Sequence, residues 1–463
     1  MAEVLQVSGG DLVAPEGHQI RLRGVGLGGW MNMENFITGF PGTETALREA
    51  LANALGRELA ERFFDRFLEA FFGPDDARHL SSLGLNLVRL PINYRHLEDD
   101  ANPFAITDEG FRHLDRVIDV CASEGIYTVI DLHALPGGQN QEWHSDNRGH
   151  EALFWRHRHF QDRAVHIWTA IASRYRDHPW VAGYNPINEP ADPSGRKIAE
   201  VSQRLLEAIR RQDPDHIVFL EGNLFATDFG MFGDPWPNVV YTTHDYALPG
   251  HVDGGPYPGV SRGRYVDRDT LERTFLDRTR YMRDTGTPIW VGEFGPVYTG
   301  DEERDQVRYR VLQDQLEIYE RYGASWAIWT YKDVGLQGLV HADPDSAYVR
   351  RIRPVLEKKA RLGTDRWGTL DTHLRHVLQP VEELVAREFP DYQPFPYGQG
   401  WLIHRLIRHI LLSEAMVGDL ADRFRGLSRE DVDELADSFR FDRCLRRPRL
   451  GDLLQRFAPI EAG

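Results

Sequence analysis

The stretch Asn185-Pro186-Ile187-Asn188-Glu189-Pro190 follows Val181-Ala182-Gly183-Tyr184 and brings a carboxylate to the end of a short apolar run. A second stretch, Val291-Gly292-Glu293-Phe294-Gly295, does the same after Pro288-Ile289-Trp290. Runs of this length and apolar character are the pattern of buried strands. A polar group at the C-terminal end of such a strand is where a (β/α) barrel carries its chemistry, drawing each group from a different strand.

Working outward from these two, six further runs have the same character. The eight predicted strands are Ile20–Gly26, Asn86–Ile92, Tyr127–His133, Val181–Ile187, His216–Glu221, Val239–His244, Pro288–Glu293 and Ala324–Trp329. Helix-period stretches lie between them, at Glu109–Glu124, Phe154–Arg176, Arg196–Gln212, Leu271–Thr285 and Glu303–Tyr322. Eight strand–helix repeats predict an α/β chain folded as a (β/α)8 TIM barrel over residues 1–360. A doubly wound sheet is the alternative, and the regularity of the eight units favours closure.

From 361 to 463 the alternation stops. Helical patterns alone follow Trp367, at His373–Glu388, Gly400–Asp422, Arg429–Ser438 and Leu450–Phe457. The Pro- and Gly-rich link Pro390–Gly400 marks a break. An all-helical appendage packed on the barrel is expected, with a structural or oligomerisation role.

The 463 residues carry a net charge of -17, which argues against nucleic acid or an anionic membrane as partner and favours a neutral substrate. Eleven Trp and seventeen Tyr suit a protein that stacks sugar rings. The two cysteines, Cys121 in a helical pattern and Cys444 in the basic helical tail, read as structural thiols rather than a disulfide framework. Met1–Gly10 has neither a basic nor an apolar leader region, and no run is long enough to span a bilayer, so a cytoplasmic protein is expected. The oligomeric state stays open.

Several residues at the strand ends carry the chemistry. Arg89 in the second strand is costly unless paired, and fits as a bidentate partner that holds Glu293 ionised. His133 follows the third strand and is expected to face a sugar hydroxyl, while Asp131 is expected to point elsewhere. Glu189 is the candidate acid and then base, with its pKa raised by the nearby carboxylate, and Asn188 beside it reaches the 2-hydroxyl. His244 and Tyr246 follow the sixth strand, Tyr246 to hold Glu293 and His244 to contact Glu189. Glu293 is the candidate nucleophile, and Gly292 allows a close approach beside it. Trp329 is expected to stack on the sugar and Trp326 to lie in the core; Glu221 either tunes the pair or forms a salt bridge. Two carboxylates in these roles are the requirement of a retaining glycosidase.

Two other patterns carry less. Gly24-Val25-Gly26-Leu27-Gly28-Gly29 matches the dinucleotide fingerprint, but the turn-prone stretch Trp30–Phe36 follows it where a helix must begin. His144, His150, His157 and His159 match no zinc spacing and read as a polar loop along the cleft. No metal and no cofactor are expected.

With these residues identified, the chain resembles the family 5 glycoside hydrolases over about Ile20 to Lys359. Members share an arginine on strand two, a histidine on strand three, Asn-Glu on strand four, His-x-Tyr on strand six, a nucleophilic Glu on strand seven and a Trp on strand eight. These fall on Arg89, His133, Asn188 with Glu189, His244 with Tyr246, Glu293 and Trp329. Arg23-Gly24-Val25-Gly26-Leu27-Gly28-Gly29-Trp30, Glu34 and Ile37-Thr38, with the loop His133–Asn140, are similar to the exo-β-1,3-glucanase branch. Asn35-Phe36 stands where that branch has Pro-Trp. The resemblance implies that Glu34 grips the terminal sugar. It implies a retaining β-glycosidase, exo-acting on β-glucosides or short β-glucans. An endo-β-glucanase, a β-mannosidase and a non-catalytic carbohydrate-binding barrel are the rivals.

Overall fold

The computed structural model describes residues 4–364 and 370–458, so Trp367 and the extreme ends lie outside the description. Eight parallel strands close into a barrel: β1 (Arg23–Gly26), β2 (Leu87–Asn93), β3 (Tyr127–Ala134), β4 (Val181–Asn185), β5 (Ile217–Glu221), β6 (Val239–His244), β7 (Ile289–Glu293) and β8 (Ser325–Ile328). Closure comes from β8 on β1, with Trp326 opposite Arg23. All eight predicted strands are present, and most are trimmed. Ile20 leaves β1 to pair with Leu12 in a small N-terminal sheet. Proline 186 has no N–H for the ladder, so β4 ends at Asn185 and Glu189 stands on the loop beyond it.

The base of the barrel is sealed. Leu5, Leu12 and Ala14 of the N-terminal segment pack with Leu87, Val129, Ile217, Phe219, Val240 and Trp290 from the strands. The opposite, C-terminal face is left to the loops, as barrel chemistry requires.

The predicted inter-strand helices are found as Arg112–Ser123, Arg158–Tyr175, Lys197–Gln212 and Glu302–Arg321. The stretch Leu271–Thr285 divides at Thr279 into Arg268–Arg278 and Arg280–Thr285. Four helices between β1 and β2 were not predicted: the short Asn35–Thr38, then Glu44–Leu55, Arg57–Phe71 and Pro74–Ser82. The three longer ones carry the packing. Thr43 caps the first, its hydroxyl accepting from the Ala46 N–H. The second buries Ala60, Phe63, Phe64, Phe67 and Phe71 at helical spacing.

That apolar stripe faces the tail. Phe424 lies 5.6 Å from Phe63, and Phe439 lies 4.9 Å from Phe67, centroid to centroid. Buried Lys332 donates to the carbonyls of Phe71 and Phe439, 2.7 and 2.8 Å away, and pairs with Asp76. The tail helices are Arg375–Glu388, Gly398–His404, Ser413–Asp422, Arg429–Asp437 and Pro448–Arg456, the second and third joined through a π-helical stretch, Arg405–Leu412. The tail is not wholly helical. Cys444–Arg446 is a strand, antiparallel to Val340–Ala342, which corrects the helical placement of Cys444. Both cysteines are free thiols, and Cys121 lies in the helix as expected.

Candidate active site

Arg89 sits within β2 with no exposed surface, so its charge must be met inside the barrel. Its Nη1 donates to Glu293 Oε1 at 2.5 Å. Its Nη2 lies 2.6 Å from Asn188 Oδ1, 3.1 Å from Glu221 Oε1 and 3.0 Å from Asp131 Oδ2. Asn185 Oδ1 accepts from Nε and Nη2. The guanidinium thus ties together the ends of β3, β4, β5 and β7, and the surrounding carboxylates raise its pKa against the effect of burial. On the other side of Glu293, the Tyr246 hydroxyl donates to Oε2 at 2.8 Å. Gly292 is required beside it: a Cβ there would come within 2.7 Å of Thr242 Oγ1 and 3.1 Å of His244 Nε2.

Glu189 is held by a different set. Its φ of 43° puts a non-glycine residue in the left-handed region, a conformation that costs on the order of 1–3 kcal/mol. Its backbone N–H is anchored by Glu221 Oε2 at 2.6 Å, which settles Glu221 as a positioning partner rather than a rim salt bridge alone. Two imidazoles meet its carboxyl, His244 Nδ1 at 2.7 Å from Oε1 and His144 Nε2 at 3.1 Å from Oε2. Burial pushes this carboxyl up, but the hydrogen bonds and charges of His144 and His244 overcome it and hold it well below the usual range. The expected upward shift is therefore corrected to a downward one. His244, despite burial, is raised to about 10 by Glu293, Glu221 and Glu189, and His144 is raised by Glu189.

His133 and Glu34 form the remaining corner. His133 Nδ1 lies 2.7 Å from Asp131 Oδ2, so Asp131 does not point elsewhere. Residues i and i+2 of a strand share a face, and β3 turns both inward. His133 Nε2 approaches Asn188 Nδ2 at 3.2 Å and Glu34 Oε1 at 3.5 Å. Burial raises the Glu34 pKa, and His133, opposed by burial but surrounded by Asp131, Glu34 and Glu293, is raised to about 10. Trp329 stacks on the His133 ring, centroids 5.4 Å apart and 5° from parallel. The glycine run of β1 is the seat of that indole, since a Cβ at Gly26 or Gly28 would come within 2.6 or 2.4 Å of it. The run serves an aromatic ring, and no helix opens on it until Asn35. Trp326 lies in the core as expected.

These groups line one pocket of about 820 Å³ at the C-terminal end of the barrel. It brings together Glu34, His133, Glu189, His244, Tyr246, Glu293 and Trp329, with Arg89 and Asn188 buried behind them. Of the histidine cluster only His144 lines it; His157 and His159 pack against Phe160. Glu189, His244 and Glu293 each place one ligand atom within 4.8 Å of the others, a spacing a cation could use. Residues not anticipated also line the pocket: Phe225 after β5, and Tyr397, Trp401 and His404 from the tail. The one signal for the tail's part was its aromatic content at the Pro- and Gly-rich link. Among the described residues no helix is long and apolar enough to cross a membrane.

Comparison with known proteins agrees with this geometry. Residues 73–335 match the model of the cellulase family, glycosyl hydrolase family 5. A protein of Phanerodontia chrysosporium named beta-xylosidase is 48% identical over 473 residues, covering 99% of each chain. A probable glucan 1,3-beta-glucosidase A of Aspergillus clavatus is 28% identical, over 68% of this chain and 84% of its own. The crystal structure of an endogalactoceramidase shares the fold, with a TM-score of 0.53 at 19% identity over 71% of this chain and 75% of that one. A barrel with a carboxylate pair at its mouth, a family match over more than half the chain and near-half identity along its whole length lead to one conclusion: the chain belongs to glycosyl hydrolase family 5 and is a glycoside hydrolase of β-glycosides.

Proposed function

We propose that the protein is a retaining, exo-acting β-glycosidase that removes one terminal sugar, with Glu293 as nucleophile and Glu189 as acid and then base. One observation carries the reading: a Glu189 oxygen and a Glu293 oxygen lie within 4.8 Å of each other in a single pocket. A pair this close fits the retaining mechanism, in which the second carboxylate itself attacks the anomeric carbon. Glu293, oriented by Arg89 and Tyr246, attacks the anomeric carbon while Glu189 protonates the departing oxygen. His144 and His244, each in contact with its carboxyl, orient Glu189 for both halves of the cycle. Water, deprotonated by Glu189, then releases the sugar with its configuration retained. Asn188, His133 and Glu34 are placed to bind sugar hydroxyls, and Trp329 offers the ring a flat apolar face. Glu34, buried beside His133 in the same pocket, supports exo cleavage as a group placed to grip a terminal sugar.

A glucoside is the first reading for the glycone. The relative named beta-xylosidase favours a second, a xyloside, which lacks only the hydroxymethyl group at C5. Two free cysteines fit a reducing, cytoplasmic setting. The test is hydrolysis of nitrophenyl β-glucoside, xyloside, mannoside and galactoside by wild type and E293Q. Cleavage of one glycoside, lost in E293Q and giving the β-anomer first by NMR, is the expected result. Cleavage confined to internal bonds of long glucans, or E293Q as active as wild type, would overturn it.

A further inference from the structure

The carboxylates and the glycone corner all come from the barrel, yet the pocket is completed by a segment the barrel does not need for closure. Tyr397 stacks on Phe225, centroids 5.5 Å apart and 19° from parallel. Three consecutive residues, Leu224, Phe225 and Ala226, have φ of 52°, 59° and 60°, a backbone that L residues adopt only when the surroundings hold it. That loop presents Phe225 to the pocket and to Tyr397. Trp401 extends the wall, its indole donating to Glu142 Oε1 at 3.1 Å, and Glu142 Oε2 is buried beside Arg405 Nη1, 3.6 Å away, with no hydrogen bond. Although it lines the pocket, Tyr397 keeps 56% of its surface exposed, so it offers ring area to a ligand.

The wall has a definite side. Phe225 lies 6.5 Å from the His144 ring, and His144 touches Glu189 Oε2. His144 also meets His133, ring centroids 5.6 Å apart, and Trp329, stacked on His133, packs with Phe36 and Ile37 rather than with the tail. The run of contacts Glu189–His144–Phe225–Tyr397 thus leads from the proton donor to the tail, on the path open to a group bonded to the oxygen that Glu189 protonates.

We propose that the C-terminal helical segment forms the leaving-group subsite, Tyr397 and Trp401 with Phe225 receiving an aglycone that has a flat apolar face. A phenolic ring and a second pyranose share that chemistry. Glu142 Oε2, which makes no hydrogen bond beside Arg405, would accept from a hydroxyl on either. This assignment rests on Glu189 being the acid, as proposed above.

The test compares wild type, Y397A, W401A and Y397F on three substrates of the glycone identified by the panel. These are the glycosyl fluoride, which has no aglycone ring, the nitrophenyl glycoside and the β-linked disaccharide. Y397A and W401A should lower kcat/KM on at least one ring-bearing substrate about tenfold more than on the fluoride, and Y397F should restore it. A larger loss on the nitrophenyl glycoside assigns a phenolic aglycone; a larger loss on the disaccharide assigns a sugar. L411S, in the same segment with its side chain in solvent, should match wild type on all three. Equal losses on fluoride and ring-bearing substrates would make the segment a structural support and overturn the proposal. Binding of the phenyl thioglycoside, followed by tryptophan fluorescence, decides the matter apart from turnover. If wild type hydrolyses no β-glycoside the catalytic reading falls, and an unchanged Kd in folded Y397A would overturn this one as well.

Discussion

Glu189 must be an acid in one half of the proposed cycle and a base in the other, and its two imidazole contacts bear on both. Replacing it with alanine should cost about 10²–10⁴ in rate on glycosides with poor leaving groups. The first step on a dinitrophenyl glycoside should be spared, because that leaving group departs without a proton. Leaving-group dependence of presteady-state rates checks this. His144 was read only as part of a polar loop, and its effect has a sign. It helps pull the Glu189 pKa down, so H144A should let that pKa rise. A group acting as a base works above its pKa. With a dinitrophenyl substrate, for which sugar release is the slow step, the acid limb of kcat should therefore move to higher pH in H144A. An unmoved limb would remove His144 from the proton path.

At the level of elements, the helices between β1 and β2 hold a buried carboxylate whose ionisation stabilises the fold. Glu44, at the start of Glu44–Leu55, is buried yet accepts from the Met33 N–H, Arg48 and Asn93. Burial alone would raise its pKa, but Arg48, His96 and the Met33 N–H bring it to about 2. Since the folded pKa lies below the unfolded one, its contribution is present above about 4.5 and lost as pH falls toward 2. E44Q should lower unfolding free energy at neutral pH by on the order of 3 kcal/mol, with the gap to wild type closing in that window. Urea titrations at several pH values measure it. These helices also show what was legible. The barrel strands could be read because each is a short apolar run, and several end in a polar group. Glu189, Glu293, Arg89 and Tyr246 followed because a closed parallel sheet aligns its strand ends. The helix Arg57–Phe71 carried an apolar stripe, but its partner is Phe424 and Phe439, far along the chain, and no local pattern names that partner. Asp131 was misplaced for a simpler reason: the period of two that turns His133 inward turns Asp131 inward too.

For the whole molecule, the packing of the tail against Arg57–Phe71 implies that barrel and tail melt together. Phe439 is fully buried among Phe67, Phe71 and Tyr348. F439A should cost about 3–5 kcal/mol, and calorimetry of wild type should show one transition. Two separated transitions would make the tail an independent unit. The position of Tyr397 and Trp401 in the pocket also sets an order of events during synthesis. Once Trp329 has left the ribosome, a growing chain holds every carboxylate of the reacting centre. Its pocket is still missing one wall, which arrives only with the last fifth of the polypeptide. A messenger cut short in that interval would yield a product with the full set of reacting groups and an unfinished place to put the substrate.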